Sequence, residues 1–199
     1  MKNSLLALAG MSFATVALFA AQAPNEIRKA PELAFSLPGQ GEKLLSQYHG
    51  KVVALEFILT TCPHCQAASH LMTSLQQEYG PRGFQALDLA INALDNGGTP
   101  DSAAQTVSSF AQQYQAGFPV GWVPRDSMDT FMNFSVMART VVPQLILIDR
   151  KGFIHYQTPP LGDPESMKPE VIRQRIEELL ALPTGAPHHG AKTAANRGH

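Results

Sequence analysis

Val52 to Leu59 is apolar at every position except Glu56. An unbroken run of this length predicts a strand covered on both faces, as in a parallel or mixed sheet flanked by helices. Directly after it, Ala68, Leu71, Met72, Leu75 and Tyr79 recur at helical spacing, and Gly80-Pro81 closes the helix. A strand therefore runs straight into a helix, with Cys62 at the junction. The same reading predicts a strand over Leu33 to Leu37, a Pro38-Gly39-Gln40-Gly41 turn, and a short amphipathic piece around Leu44, Leu45 and Tyr48. Phe84 to Ile91 is the next strand. The loop from Asn96 to Pro100 leads to a helix capped at Asp101 or Ser102, with Val107, Phe110, Ala111 and Tyr114 on one face. A third strand around Phe118 to Val123 precedes a short helix near Met128 to Phe134. Pro143 to Ile148 and Phe153 to Gln157 then flank Asp149-Arg150-Lys151-Gly152, which is hairpin turn chemistry. Val171, Ile172, Ile176, Leu179 and Leu180 stripe a last helix. The order strand, helix, strand, helix, strand, helix, hairpin, helix predicts a one-domain α/β sandwich.

The two ends read differently. Met1 to Ala23 has one charge, Lys2, an apolar stretch from Leu5 to Ala21 broken by Gly10, Ser12 and Thr15, and a small-residue end. This is the pattern of an export signal. Cleavage after Ala23 would put Pro24 beside the cut, so a retained membrane anchor is the competing reading. Either places the body in the periplasm or otherwise outside the cytoplasm, where disulfides persist. Residues 24–184 form the expected domain. Residues 185–199 are small, basic or His without periodicity and are expected to be a disordered tail.

Composition narrows the function. The chain has 199 residues, a net charge of -1 and no run of like charges. The electrostatic footprint of a nucleic-acid binder is missing. At 44% hydrophobic and 16% charged, it is also not a disordered chain. Its two cysteines are Cys62 and Cys65, in Thr61-Cys62-Pro63-His64-Cys65. Two thiols cannot make a disulfide framework or a four-thiolate zinc site, and their spacing points to redox chemistry.

A C-x-x-C where a strand becomes a helix puts the first sulfur at the helix N-terminus, near unpaired N–H groups and the positive end of the macrodipole. That favours the thiolate, the attacking species in disulfide exchange. His64, protonated or donating toward Cys62, would add to the effect, and Pro63 suits the first helical turn. Cys65, one turn on and less accessible, would close the disulfide and resolve a mixed disulfide with substrate. A purely structural bridge would close so small a loop that it stabilises little. Metal binding with His64 or His70 is the alternative from another class, because thiolates and imidazole suit copper or zinc. A metal-handling module such as a copper chaperone would use the same cysteines.

C-P-H-C after a strand, together with Val142-Pro143 at the start of a late hairpin, resembles the thioredoxin-like thiol–disulfide oxidoreductases. The stretch from Glu56-Phe57 to Cys65 is similar to DsbA-type oxidases. The layout is similar to the TlpA/ResA group, with Gly50-Lys51-Val52-Val53 as entry and Leu147 to Gly152 after the proline. The resemblance spans about Pro31 to Leu182. It implies a three-layer α/β/α sandwich around a central mixed sheet. It further implies a cis Pro143 facing the Cys62 sulfur and a Val142 backbone that pairs with an extended substrate. Glu56 then matches the family's buried acid, with a raised pKa and the task of relaying the Cys65 proton. Many members carry Trp before the first cysteine; Thr61 stands there and would form the substrate-docking edge. The implied partners are client protein thiols and disulfides, plus an upstream redox partner. No organic cofactor is required. The peroxiredoxin pattern P-x-x-x-T-x-x-C is absent, since Leu55 and Leu59 occupy its places. The motif points to an oxidant and the layout to a reductant, so the direction stays open.

The remaining candidates have plain readings. His188, His189 and His199 are expected to be solvated, His49 and His155 to lie on the surface, and His70 to face outward from its helix. Met128, Met132 and Met137, near Phe131 and Phe134, are expected in the core, and Trp122 to serve packing.

Overall fold

A computed structural model describes residues 26–135 and 137–183. Among them, eight strands form one sheet: β1 (Arg28–Lys29), β2 (Ala34–Leu37), β3 (Gly41–Leu44), β4 (Val52–Ile58), β5 (Phe84–Ala90), β6 (Val120–Trp122), β7 (Gln144–Ile148) and β8 (Phe153–Gln157). Four helices accompany them: α1 (Pro63–Tyr79), α2 (Pro100–Gln113), α3 (Asp126–Met132) and α4 (Pro169–Ala181). The strand order is β1-β8-β7-β4-β5-β6-β2-β3. β4 runs parallel to β5 and antiparallel to β7, so the sheet is mixed.

All seven residues of β4 are buried, as its unbroken apolar run requires. Alternate side chains enter two cores. Val52, Ala54 and Ile58 pack with Met72 and Leu75 of α1, Val107 and Phe110 of α2, and Ile172 and Ile176 of α4. Val53, Leu55 and Phe57 pack with Met128, Phe131 and Met132 of α3 and with Leu33, Phe35, Leu37 and Leu45 from the N-terminal segment. The helices α1 and α2 share a face because both parallel crossovers have the same hand. The result is three layers, with helices on one side, the sheet in the middle, and α3 plus the N-terminal segment on the other.

The structure departs from the sequence expectations in five places. The piece around Leu44 is strand β3 followed by a 3-10 turn (Leu45–Tyr48), and β1 is an additional short strand. Both are edge strands with charged residues, Arg28-Lys29 and Glu42-Lys43, which discourage further pairing. The cap of α2 is Thr99, not Asp101 or Ser102: Pro100 takes the first helical position, and the Thr99 hydroxyl accepts from the Ser102 N–H at 3.2 Å. Met137 is 89% exposed and does not join Met128 and Met132 in the core. His155 is not a free surface residue, because its Nε2 lies 2.9 Å from Asp149 Oδ2. Residues 1–25 and 184–199, with the expected signal and tail histidines, lie outside the described residues.

Candidate redox site

β4 ends at Ile58, and the chain crosses Leu59-Thr60-Thr61 before Cys62 caps α1. This short crossing is held by three hydrogen bonds from two residues, Asn92 and Gln66. The Thr60 N–H donates to Asn92 Oδ1 at 3.1 Å, Asn92 Nδ2 donates to the Thr60 hydroxyl at 3.1 Å, and Gln66 Nε2 donates to the Thr60 carbonyl at 3.3 Å. Cys62 is extended (φ -86°, ψ 120°), and Pro63 occupies the first helical position, where its missing N–H has no consequence. Both cysteines are free thiols; Cys62 is partly exposed and Cys65 fully buried.

The Val142–Pro143 peptide bond is cis. The Cys62 Sγ lies 4.0 Å from the Val142 carbonyl oxygen, so residues eighty positions apart in sequence meet here. Gln144, fully buried, holds this loop. Its Nε2 donates to the carbonyls of Val141 (2.7 Å), Pro160 (3.2 Å) and Pro159 (3.3 Å), and its Oε1 accepts from the Thr158 hydroxyl. Val141 and Leu161 beside it are exposed apolar residues.

Behind the cysteines lie two buried acids. Glu56 on β4 is directly opposite Asp88 on β5 in the parallel register, and they are 2% and 0% exposed. The Ser69 hydroxyl, on α1, donates to Asp88 Oδ2. Glu56 Oε2 and Asp88 Oδ1 find no hydrogen-bond partner among the described residues. Burial, and then the Asp88 charge, hold the Glu56 carboxyl well above the usual carboxylate range. Burial pushes Asp88 up to about 7 against the Ser69 hydrogen bond, which pulls it down. Burial also raises the Cys65 thiol above the ordinary thiol range; Cys62 and Glu56 add to this and the Leu59 backbone opposes it.

Of the residues expected at the site, Cys62, Cys65, Glu56, Val142 and Pro143 come together. Thr61, Pro63 and His64 surround Cys62 at the surface, all three exposed. No hydrogen bond joins His64 to Cys62 among the described residues, and His70 instead packs edge-on against Tyr114. Sequence reasoning missed Asp88, Ser69, Gln144 and Asn92. Asp88 alone carried a visible signal, a lone acid inside an apolar run like that of Glu56. Among the described residues, no group of three or more His, Cys, Asp and Glu side chains is placed to hold a metal ion.

The mixed sheet, the helix-capping C-x-x-C and the facing cis proline define a thioredoxin-like thiol–disulfide oxidoreductase. The chain belongs to the AhpC/TSA family, whose model matches residues 28–157. It is similar to the solved structure of a protein provisionally described as thiol:disulfide interchange protein DsbE from Chlorobium tepidum. That likeness has 28% identity and a TM-score of 0.59, covering 78% of this chain and 98% of the other. It shares its fold with a thiol:disulfide interchange protein of the thioredoxin family from Chlorobium tepidum TLS, at 18% identity and a TM-score of 0.60, covering 79% and 99% of the two chains. The thioredoxin domain of a thiol–disulfide oxidoreductase from Bacteroides vulgatus also shares it, at 12% identity and a TM-score of 0.57, covering 76% and 96%. No curated protein sequence matches the chain.

Proposed function

We propose that this protein exchanges disulfides with client proteins outside the cytoplasm, with Cys62 as nucleophile and Cys65 as resolving thiol. The observation that carries the reading is the pairing of an accessible Cys62 sulfur with the Val142 carbonyl at 4.0 Å, while Cys65 is sealed behind it. The Cys62 thiolate attacks a client disulfide, forms a mixed disulfide and expels one client thiolate. Cys65 then loses its proton, attacks the Cys62 sulfur and releases the second client thiolate, leaving the Cys62–Cys65 disulfide and a reduced client. The reverse sequence oxidises a client dithiol. Glu56 handles the Cys65 proton in both directions. Val142 and Pro143 present backbone to an extended client segment, and Thr61, Pro63 and His64 border it. The exposed Val141 and Leu161 suit apolar polypeptide.

The working domain is residues 24–184, delivered by the segment 1–23 as a cleaved signal or an anchor, with 185–199 as a tail. Among the described residues, no helix is long and apolar enough to cross a membrane. An upstream dithiol or disulfide partner resets the pair after each cycle.

The test is insulin reduction and dithiol-to-disulfide conversion of a reduced client. The wild type is expected to outpace free dithiol, Cys62→Ser to lose the activity, and Cys65→Ser to accumulate a mixed disulfide. Wild-type rates no better than free dithiol overturn the proposal. The reduction potential then gives the direction: about -120 mV marks an oxidase and about -270 mV a reductase.

A further inference from the structure

Ser69 lies four residues after Cys65, so both look from the same face of α1 onto the sheet below. Glu56 and Asp88 sit there in direct register, on strands about 4.8 Å apart. Four polar groups thus share one buried compartment. Around it, β7 places Leu145 beside Glu56 and β6 places Val120 beside Asp88. The helix α2 contributes Ala103, Val107 and Phe110 to this core, and α4 contributes Ile172, Ile176 and Leu179. The two α4 cations are engaged elsewhere: Arg175 lies over the Tyr156 ring at 3.6 Å, and Arg173 pairs with Glu78 at 2.9 Å. No cation among the described residues acts on either acid.

Two carboxylates so close in a low-dielectric site resist being charged together, so the resting pair keeps a proton and the surroundings decide where it sits. Ser69 donates its hydroxyl hydrogen to Asp88 and not to Glu56. Charge therefore settles on Asp88 and the proton on Glu56.

We propose that Asp88, anchored by Ser69, is a positioning residue for disulfide exchange: its negative charge keeps on Glu56 the proton that passes to and from Cys65. This rests on the exchange reading above. When a client thiolate attacks Cys62 of the closed disulfide, the client–Cys62 bond forms and the Cys62–Cys65 bond breaks. The electron pair leaves on the Cys65 sulfur, which takes the Glu56 proton. In the closing direction, Cys65 returns that proton to the Glu56 carboxylate, attacks Cys62 and expels the client thiolate. Asp88 exchanges no proton with the sulfur; it sets the proton affinity of the group that does.

The test follows Glu56 by carbon-13 carboxyl NMR in the reduced full chain as pH is varied, with Glu56→Gln to assign the signal. In Asp88→Asn the Glu56 midpoint is expected to fall by about one unit or more. In Ser69→Ala, which keeps both acids, proton occupancy is expected to move from Glu56 to Asp88. The alkaline limb of the disulfide-opening rate should shift to lower pH in both variants. A Glu56 midpoint unchanged in both variants, with wild-type exchange intact, overturns the role of Asp88 alone. Absence of wild-type exchange removes the reading beneath it, and the two failures are distinct.

Discussion

Replacing Asp88 by asparagine should reshape the pH dependence of stability, and the effect can be worked from the structure. Burial raises the Asp88 carboxyl from 3.8 to about 7. The folded state therefore binds this proton more tightly than the unfolded chain does. Below about pH 4 both states hold the proton, and the stability associated with it is fully present. As pH rises, the unfolded state ionises first, and stability falls by about 1.4 kcal/mol per unit until the folded group ionises near 7. A shift of about three units corresponds to roughly 4 kcal/mol lost across this window. Glu56, also raised, adds a loss of the same sign. The asparagine side chain would keep an oxygen for the Ser69 hydroxyl but has no proton to lose. Urea denaturation of the reduced protein at half-unit steps from pH 4 to 8.5 measures the difference. The wild-type curve should descend steeply, and the Asp88→Asn curve should descend by about 4 kcal/mol less over the same range. Two curves that stay parallel within about 1 kcal/mol would show that Asp88 does not carry a raised proton affinity in the folded state, and the argument would fail.

Three further substitutions test the scaffold around the site. Gln144→Ala removes the bonds to the Val141, Pro159 and Pro160 carbonyls and takes away the acceptor of the Thr158 hydroxyl, which keeps only the Leu145 N–H bond it accepts. Stability should drop by about 2 to 3 kcal/mol, and KM for a protein client should rise while the rate with a small dithiol is kept, as steady-state kinetics would show. Gly121→Ala drives a methyl group into the Ser36 carbonyl where β2 meets β6. A loss of about 1 to 3 kcal/mol in urea melts is expected, with Cys62 alkylation unchanged in the folded protein. Thr99→Ala deletes the α2 cap and should cost about 1 kcal/mol, and Thr99→Ser should restore most of it in the same thermal melts.

How much could be read from the sequence depended on whether the signal was local. β4, α1 and the cysteines between them were legible because an unbroken apolar run, a helical stripe and C-P-H-C follow one another directly in the chain. Glu56 stood out as the lone acid of its run, and its burial follows from the same run. Asp88 sits in an equally apolar strand, but its meaning comes from facing Glu56 across two parallel strands. That register is fixed by the α1 crossover and not by either segment alone. Gln144 was invisible for a related reason: its partners Pro159 and Pro160 arrive from the far side of a hairpin. β1 and β3 pair at the sheet edges through backbone, so their side chains carry little hydrophobic pattern to read. At α2, Asp101 and Ser102 were the expected caps, and Pro100 moves the cap back to Thr99, since its fixed φ favours the first helical position.

The two cysteines share one helical turn yet occupy opposite environments, and the exchange reaction needs both. Cys62 is reachable because it sits at the surface with His64 exposed beside it, while the Val142 carbonyl marks where client backbone would run. Cys65, three residues further, has turned inward over the sheet and is beyond the reach of a client. Burial makes its thiol hard to deprotonate, so as a free group it would be a sluggish nucleophile at neutral pH. The same burial surrounds it with apolar β4, β5 and α1 side chains, apart from Ser69 and the two acids. Proton transfer to bulk water is thereby suppressed, and a carboxyl with a matched proton affinity becomes the effective partner. A lone buried glutamate would hold its proton through desolvation only. A second acid whose charge is fixed by a serine adds a Coulombic hold that responds to a single hydroxyl. The rate of client attack at Cys62 and the proton balance at Cys65 are therefore set by different residues, and substitutions at Ser69 or Asp88 should alter the second without touching the first.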